Sequence, residues 1–267
     1  VLSPLDWPGF GDITLLALLA LLLAALVAGV VDAVVGGGGL VQLPALLLLL
    51  PGAPVLALAS NKVASVVGTT AATITYARGT RVDWRAAALM AGTAFGGSVG
   101  GAAFAGALPA TVLRVVVLVA VLGVGIYTLR TPHLGSTQRL RFGRRAQLVL
   151  MATGGAVIGG YDGLAGPGTG SFLVFLLVGA VGYAFLHASA TAKLVNVATN
   201  LGALAYFVPA GHVVWGLALC MAVANLLGAT LGARVAVRRG SAFVRRVFLV
   251  VVAVLVVSLT VQLVASA

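Results

Sequence analysis

Asp32 and Asp162 each lie inside an apolar run, and each is followed four residues later by a glycine cluster, in DAVVGGGGLVQLP from Asp32 and DGLAGPGTGSF from Asp162. Lys62 and Lys193 stand in equally apolar surroundings. Ionised groups in such places are costly and need partners. The four can pair with one another, bind and release protons at the aspartates, or hold a charged solute at the lysines. The glycines Gly36, Gly37, Gly38 and Gly39, with Gly166, Gly168 and Gly170 in the second cluster, offer a further chemistry. Unwound backbone at membrane depth is tolerated where it is buried in protein or lines a watery cavity. The N–H groups and positive dipole end of the helix that follows can then receive an anion. Gln42 and Thr169, at the starts of those following segments, join the same candidate set. The plainer reading of the glycines is that they let helices pack or turn.

A polar series surrounds each lysine. Asn61 precedes Lys62, and Ser65, Thr69 and Thr73 follow at every fourth position, which places them on one helical face. Asn196 and Asn200 occupy the places of Ser65 and Thr69 in the second copy. Such side chains can tie helices together or hydrogen-bond a ligand. For Lys62, an ion pair with Asp32 or Asp162 and a bound anion both remain open. Lys193 stands nearer the start of its segment, where its long stem could carry the charge to the interface. Asp32 and Asp162 are either proton carriers or interfacial, and His187, His212 and Asn225 read as interfacial groups or helix contacts.

The elements that position these residues come in two copies. Asp32, Gly36 and Gly38 fall on Asp162, Gly166 and Gly168, and farther along Lys62 falls on Lys193, Trp84 on Trp215, Gly97 on Gly228 and Gly101 on Gly232. The chain is therefore a duplication, with a first repeat over 1–130, a basic linker over 131–145 and a second repeat over 146–267.

Composition sets the class. Hydrophobic residues make up 61% of the chain and charged ones 8%, with a mean hydropathy of +1.17. That balance belongs to a multi-span membrane protein. Apolar segments of helical length recur over 12–35, 40–50, 55–77, 86–108, 112–129, 146–162, 169–181, 188–208, 214–235 and 243–264, numbered 1 to 10 here. The first, with no defensible cleavage site after it, reads as a retained span. Segment 2 is only about 17 Å long at the helical rise, so it is a half helix or its glycines lie at depth. The net charge of +11 would suggest nucleic acid in a soluble protein. Here the arginines gather in short loops beside apolar segments, as positive-inside topology requires, and nucleic acid is not an expected partner. The single cysteine, Cys220, excludes an intrachain disulfide.

Loop charge also gives handedness. The loop after segment 3 is RGTRVDWR, but its counterpart after segment 8 is PAGHVVWG; the link after segment 4 is uncharged, but that after segment 9 is RVAVRRGSAFVRR. Basic and neutral loops exchange places between copies, the pattern of an inverted repeat with an odd number of segments per half. Parallel halves would follow only if segments 2 and 7 turned back without crossing.

No catalytic set is present: there is no Glu, no metal-spaced His and Cys cluster, no phosphate-cradling loop and no heme attachment motif. An enzyme is not expected, nor a cofactor or metal.

GGGGLVQLPALLLL, ASNKVASVVGTTAATITYARGTRVDW, GLAGPGTGSFLVF and SATAKLVNVATNLGALAYF together resemble the TauE/SafE family of sulfite and organosulfonate exporters, over nearly the whole span of segments 1 to 10. The resemblance implies secondary transport of small sulfur-containing or carboxylated anions across a bacterial cytoplasmic membrane, with seven to nine helices from a duplicated unit. The second box departs from the pattern, since Pro167 interrupts its glycines and no proline matches Pro44.

The combined expectation is an all-α, polytopic transmembrane bundle of about eight to ten segments in two inverted repeats, with short or broken helices after the glycine boxes. It would hold a small anion between the repeats and move it by alternating access, with Asp32 and Asp162 as candidate proton carriers. An anion channel, or an intramembrane enzyme or scaffold, is the alternative.

Overall fold

The computed structural model describes residues 13–49, 54–105 and 138–265. The expected segment 5, the turn over 51–53, the lead over 1–12 and the linker over 130–137 lie outside the described residues. All regular elements among the described residues are helices: α1 (Leu15–Val35), α2 (Gly39–Leu49), α3 (Pro54–Gly79), α4 (Trp84–Ala103), α5 (Arg144–Leu164), α6 (Thr169–Phe175), α7 (Phe185–Phe207) and α8 (Trp215–Ala265). The short α6 runs on through a π-helical turn, Leu176–Val181. Segments 1 to 4 are α1 to α4, and segments 6, 7 and 8 are α5, α6 with its π turn, and α7. Segments 9 and 10 are the two arms of α8, which breaks helical geometry at Gly240, where φ is 70° and ψ is −171°.

The protein is built inside out relative to a soluble bundle. Leu16, Leu23, Leu48, Val149 and Val157 face outward, and Leu219, Val223, Leu227 and Leu231 repeat at every fourth position on the outer face of α8, whereas Lys62, Lys193, Asn200 and Thr199 are buried. In water such a surface would aggregate; in hydrocarbon it costs nothing and seals the polar groups within. α1, α3, α4 and the Trp215–Val250 part of α8 are long and apolar enough to cross a membrane. α5 and α7 are of similar length, 21 and 23 residues. α7 is also the repository of Lys193, Asn196 and Asn200, and most of it is buried by its neighbours.

Helix ends sort into two groups. One apolar cluster joins the start of α1 (Leu18, Leu21), the end of α2 (Leu43, Leu46), the start of α3 (Ala57, Leu58), the end of α7 (Ala203, Phe207) and the start of α8 (Leu217, Met221). The other joins the end of α1 (Val34, Val35), the end of α3 (Ala72, Tyr76), the starts of α4 and α5 (Ala86, Met151), the α6 region (Leu173, Leu177) and the start of α7 (Phe185, Ala188). Equivalent helices α3 and α7 thus run in opposite directions. Accordingly, the Val214 N–H just beyond α7 donates to the hydroxyl of Ser60, near the start of α3, at 3.0 Å.

The halves also interlock. α1 packs on α8 and α4 on α5, while α3 meets α8 and α4 meets α7. Small residues allow these approaches: a Cβ on Gly97 would lie 2.2 Å from the carbonyl oxygen of Ala156, and one on Gly228 would lie 2.0 Å from that of Leu26. The duplicated glycines Gly97 and Gly228 therefore serve equivalent contacts, each between one half and the other.

Among the described residues the arginines collect on one side. Gly79 touches Val237, the Leu186 N–H donates to Ser241 Oγ, and Arg139 and Arg141 bond by backbone to Gly182 and Val181, so the loop Arg78–Arg85, the stretch before α5 and the break in α8 share one face. At the opposite ends, around 44–57, 100–105 and 205–217, no Lys or Arg occurs among the described residues.

Candidate functional site

The first glycine box ends α1. Gly36 takes the left-handed conformation at φ 84°, and its N–H caps the Asp32 carbonyl at 2.8 Å, after which the chain reverses into α2. The second box repeats the manoeuvre with Gly166 at φ 87° and Gly168 at φ 82°. These conformations strain any residue with a Cβ. Each box is thus the tip of a helical hairpin, α1–α2 or α5–α6.

The two tips touch through backbone. A Cβ on Gly36 would lie 2.2 Å from the carbonyl carbon of Gly170, the Ser171 N–H donates to the Gly36 carbonyl at 3.1 Å, and Ser171 Oγ donates to the Val35 carbonyl at 3.1 Å. Gly39 faces Pro167 and Gly166 across the same junction. The glycines thus serve packing at this junction, where the two boxes meet.

Around this junction the four charges form two reciprocal ion pairs. Lys62 Nζ lies 2.7 Å from Asp162 Oδ2, and Lys193 Nζ donates to Asp32 Oδ2 at 3.0 Å. Each lysine belongs to one half and its aspartate to the other. Relative exposure is 1% for Lys62, 2% for Asp162, 0% for Lys193 and 9% for Asp32, so protein encloses all four in this conformation. Lys193 turns to Asp32, and because α7 begins at Phe185, earlier than the apolar run suggests, it stands as far into its helix as Lys62 does into α3. Removing one member of such a pair strands a buried charge at a cost of about 3–5 kcal/mol.

The remaining candidates divide. Gln42 is fully buried and accepts from Asn225 Nδ2 at 2.9 Å, and its own Nε2 has no partner among the described residues. Asn61 Oδ1, next to Lys62, is likewise buried without a partner. The N–H groups of Gly37, Gly38 and Gly39 donate to no protein acceptor among the described residues, as expected at a helix start. Thr69 is satisfied within its own helix by the Ser65 carbonyl at 2.7 Å, and Ser65 is half-buried beside it. Thr169 donates to the Gly166 carbonyl at 2.8 Å. Asn200 donates to the Asn196 carbonyl at 2.8 Å, and Asn196 Oδ1 accepts from Thr199 at 3.2 Å.

Three supporting residues escape the sequence reading. Tyr76 donates to the Ala33 carbonyl at 2.9 Å, Tyr161 donates to the Pro167 carbonyl at 2.6 Å, and Ser171 ties the two tips. Tyr161 could have been found as the immediate neighbour of Asp162; nothing in the local sequence marks Tyr76, which acts across 43 residues.

At the arginine face a pocket of about 340 Å³ is lined by Arg81, Asp83, Gln138, Arg144, His187 and Thr191, among others. Arg144 grips Asp83 with both guanidinium nitrogens, joining the start of α5 to the N-cap of α4. That bond holds the Asp83 carboxyl below the usual aspartate range, against the opposing pull of partial burial.

A family model described as Sulfite exporter TauE/SafE matches residues 21–259, the stretch that contains both hairpins and both ion pairs. The chain belongs to the TauE/SafE family. A probable membrane transporter protein YfcA of Escherichia coli strain K12 is 35% identical over 235 residues, 88% of this chain and 86% of that protein. A probable membrane transporter protein ORF9 of Sinorhizobium sp is 33% identical over 241 residues, 90% of this chain and 91% of its own. One from Haemophilus influenzae is 32% identical over 235 residues, 88% of this chain and 91% of its own. No solved structure matches the chain. As a TauE/SafE member with such relatives and helices of spanning length, the protein is a multi-pass transporter of the cell membrane.

Proposed function

We propose that this chain is a secondary transporter that moves a small anion, sulfite, an organosulfonate or a related sulfur-containing or carboxylated anion, by alternating access coupled to protons. The observation that carries the reading is the pair of reciprocal, buried Lys–Asp contacts at the meeting point of the two hairpin tips. A lysine neutralised by an aspartate offers an incoming anion no net charge. Protonation of Asp162 removes the countercharge of Lys62 and leaves the ammonium for an incoming anion; departure of the proton restores the pair and expels the anion. Through this exchange the buried site stays neutral overall, which avoids an unpaired charge in the bilayer interior.

The opposed directions of α3 and α7 and the reciprocal packing of the halves support an inverted repeat, with one half rocking on the other about the junction. The arginine face is the cytoplasmic one by charge distribution. Burial of all four charges suits a carrier caught between its open states better than a continuously open channel. The deciding measurement is sulfite flux in proteoliposomes, for wild type and Lys62→Ala, with and without an imposed pH gradient. Flux unaffected by Lys62→Ala removes Lys62 from the site, and flux blind to the gradient rejects the proton role of Asp32 and Asp162.

A further inference from the structure

The transporter reading treats the two lysine half-sites alike, but their surroundings differ in the donors available. Beside Lys62 lie Gly166 and, through it, the start of α2 at Gly39, whose N–H group has no acceptor among the described residues. One turn into α2, Gln42 is fully buried. Its Oε1 accepts from Asn225 Nδ2 at 2.9 Å, and Asn225 Oδ1 lies where a Cβ on Gly68 would have to go. The Asn225 amide thus takes up the Gln42 acceptor and leaves Gln42 Nε2 without a partner among the described residues. A buried donor left unmade is destabilising, and its survival here asks for an acceptor that comes and goes.

The second half has no counterpart. The positions corresponding to Gln42 hold Phe172 and Leu173, and that corresponding to Asn225 holds Ala94. Phe172 packs edge-on against Tyr161 at a centroid distance of 5.3 Å, and Tyr161 closes on the Pro167 carbonyl. The first turn of α6, the counterpart of the turn of α2 that carries Gln42, is therefore apolar and filled.

Resting on the transporter reading, we infer that substrate oxygens are bound in the first half-site only, with Gln42 Nε2 as a donor to the oxyanion beside Lys62 and Asn225 as the positioning residue that orients it. A substrate with several acceptor oxygens, sulfite or a sulfonate, can engage the lysine and the amide together. The Lys193–Asp32 pair then serves coupling and structure without contacting substrate.

The test uses the purified full chain in proteoliposomes with sulfite, alongside sulfite-dependent thermal shifts in detergent. Gln42→Met, similar in volume without the donor, is expected to raise the KM for sulfite about tenfold or more, as for a lost bond to a charged group, with kcat retained. Asn225→Asp, which cannot donate to Gln42 and so turns its amide over, should give the same KM defect, while Phe172→Leu should leave KM unchanged. An unaltered KM and thermal shift in Gln42→Met overturns the assignment while the transporter reading stands. Wild-type protein that neither carries nor binds sulfite overturns both.

Discussion

The two glycine turns have the same ancestry and opposite fillings. Around the first, the polar amides of Gln42 and Asn225 and the open donors of Gly37, Gly38 and Gly39 remain. Around the second, Pro167, Tyr161 and Phe172 close the space, and α6 relaxes into a π turn where α2 instead carries Pro44. The charged pairs were kept in both. Duplication thus preserved what both halves need, a countercharge for the other half's lysine, and let the direct donors diverge. Two equal-looking Lys–Asp contacts can therefore carry unequal duties.

The comparison can be broken most severely at the point where the turns touch. Gly170→Ala would set its Cβ 2.4 Å from the Gly36 Cα, and a loss of more than about 4 kcal/mol is expected, the range of severe core clashes. Size-exclusion profiles should show little folded protein.

Next come the lysines. Lys62→Ala is expected to lower stability by about 3–5 kcal/mol by stranding Asp162, and to abolish sulfite flux. Lys62→Ala combined with Asp162→Asn should recover the thermal midpoint without recovering flux. Recovered flux would mean that the pair is only structural.

Lys193→Ala should cost similar stability, since Asp32 is then stranded, yet leave the KM of residual sulfite flux within about twofold of wild type, the pattern of a group that does not bind substrate. A large KM change there would equalise the half-sites.

The smallest effect concerns the tie between halves at the arginine face. The folded Asp83 carboxyl is held below its ordinary value of 3.8 by Arg144. Its contribution is therefore present above that value and is lost as pH falls through the lower folded one. Asp83→Asn keeps a cap for α4, so the wild-type advantage in thermal midpoint over this variant should shrink as the pH is taken below about 4.

Much of this arrangement is written in the sequence. The offset that aligns Lys62 with Lys193 and Gly97 with Gly228 predicts the equivalent contacts that both make. Cost of burial asks for a countercharge to Lys62, an aspartate or a bound anion, and two aspartates stand in the apolar runs. Which one is chosen depends on how the halves interlock, and no local signal encodes it. Lys193 misleads for a local reason: Phe185, Leu186 and His187 precede the obvious apolar run, and counting them makes each lysine the ninth residue of its helix. Gln42 is visible as a polar residue after glycines, but its free donor emerges only when Asn225, 183 residues away, takes its acceptor. Tyr76 is similar, because a carbonyl from α1 gives it meaning.

Reciprocal pairing also has a bearing on biogenesis. Lys193 meets Asp32 across 161 residues, and ribosomes add about 5–20 residues per second. For many seconds the newly inserted N-terminal repeat holds an aspartate and a lysine whose companions have not yet been translated. Insertion machinery or neighbouring lipid headgroups must shelter these charges meanwhile, and a nascent chain arrested at the linker should be a ready target for membrane quality control.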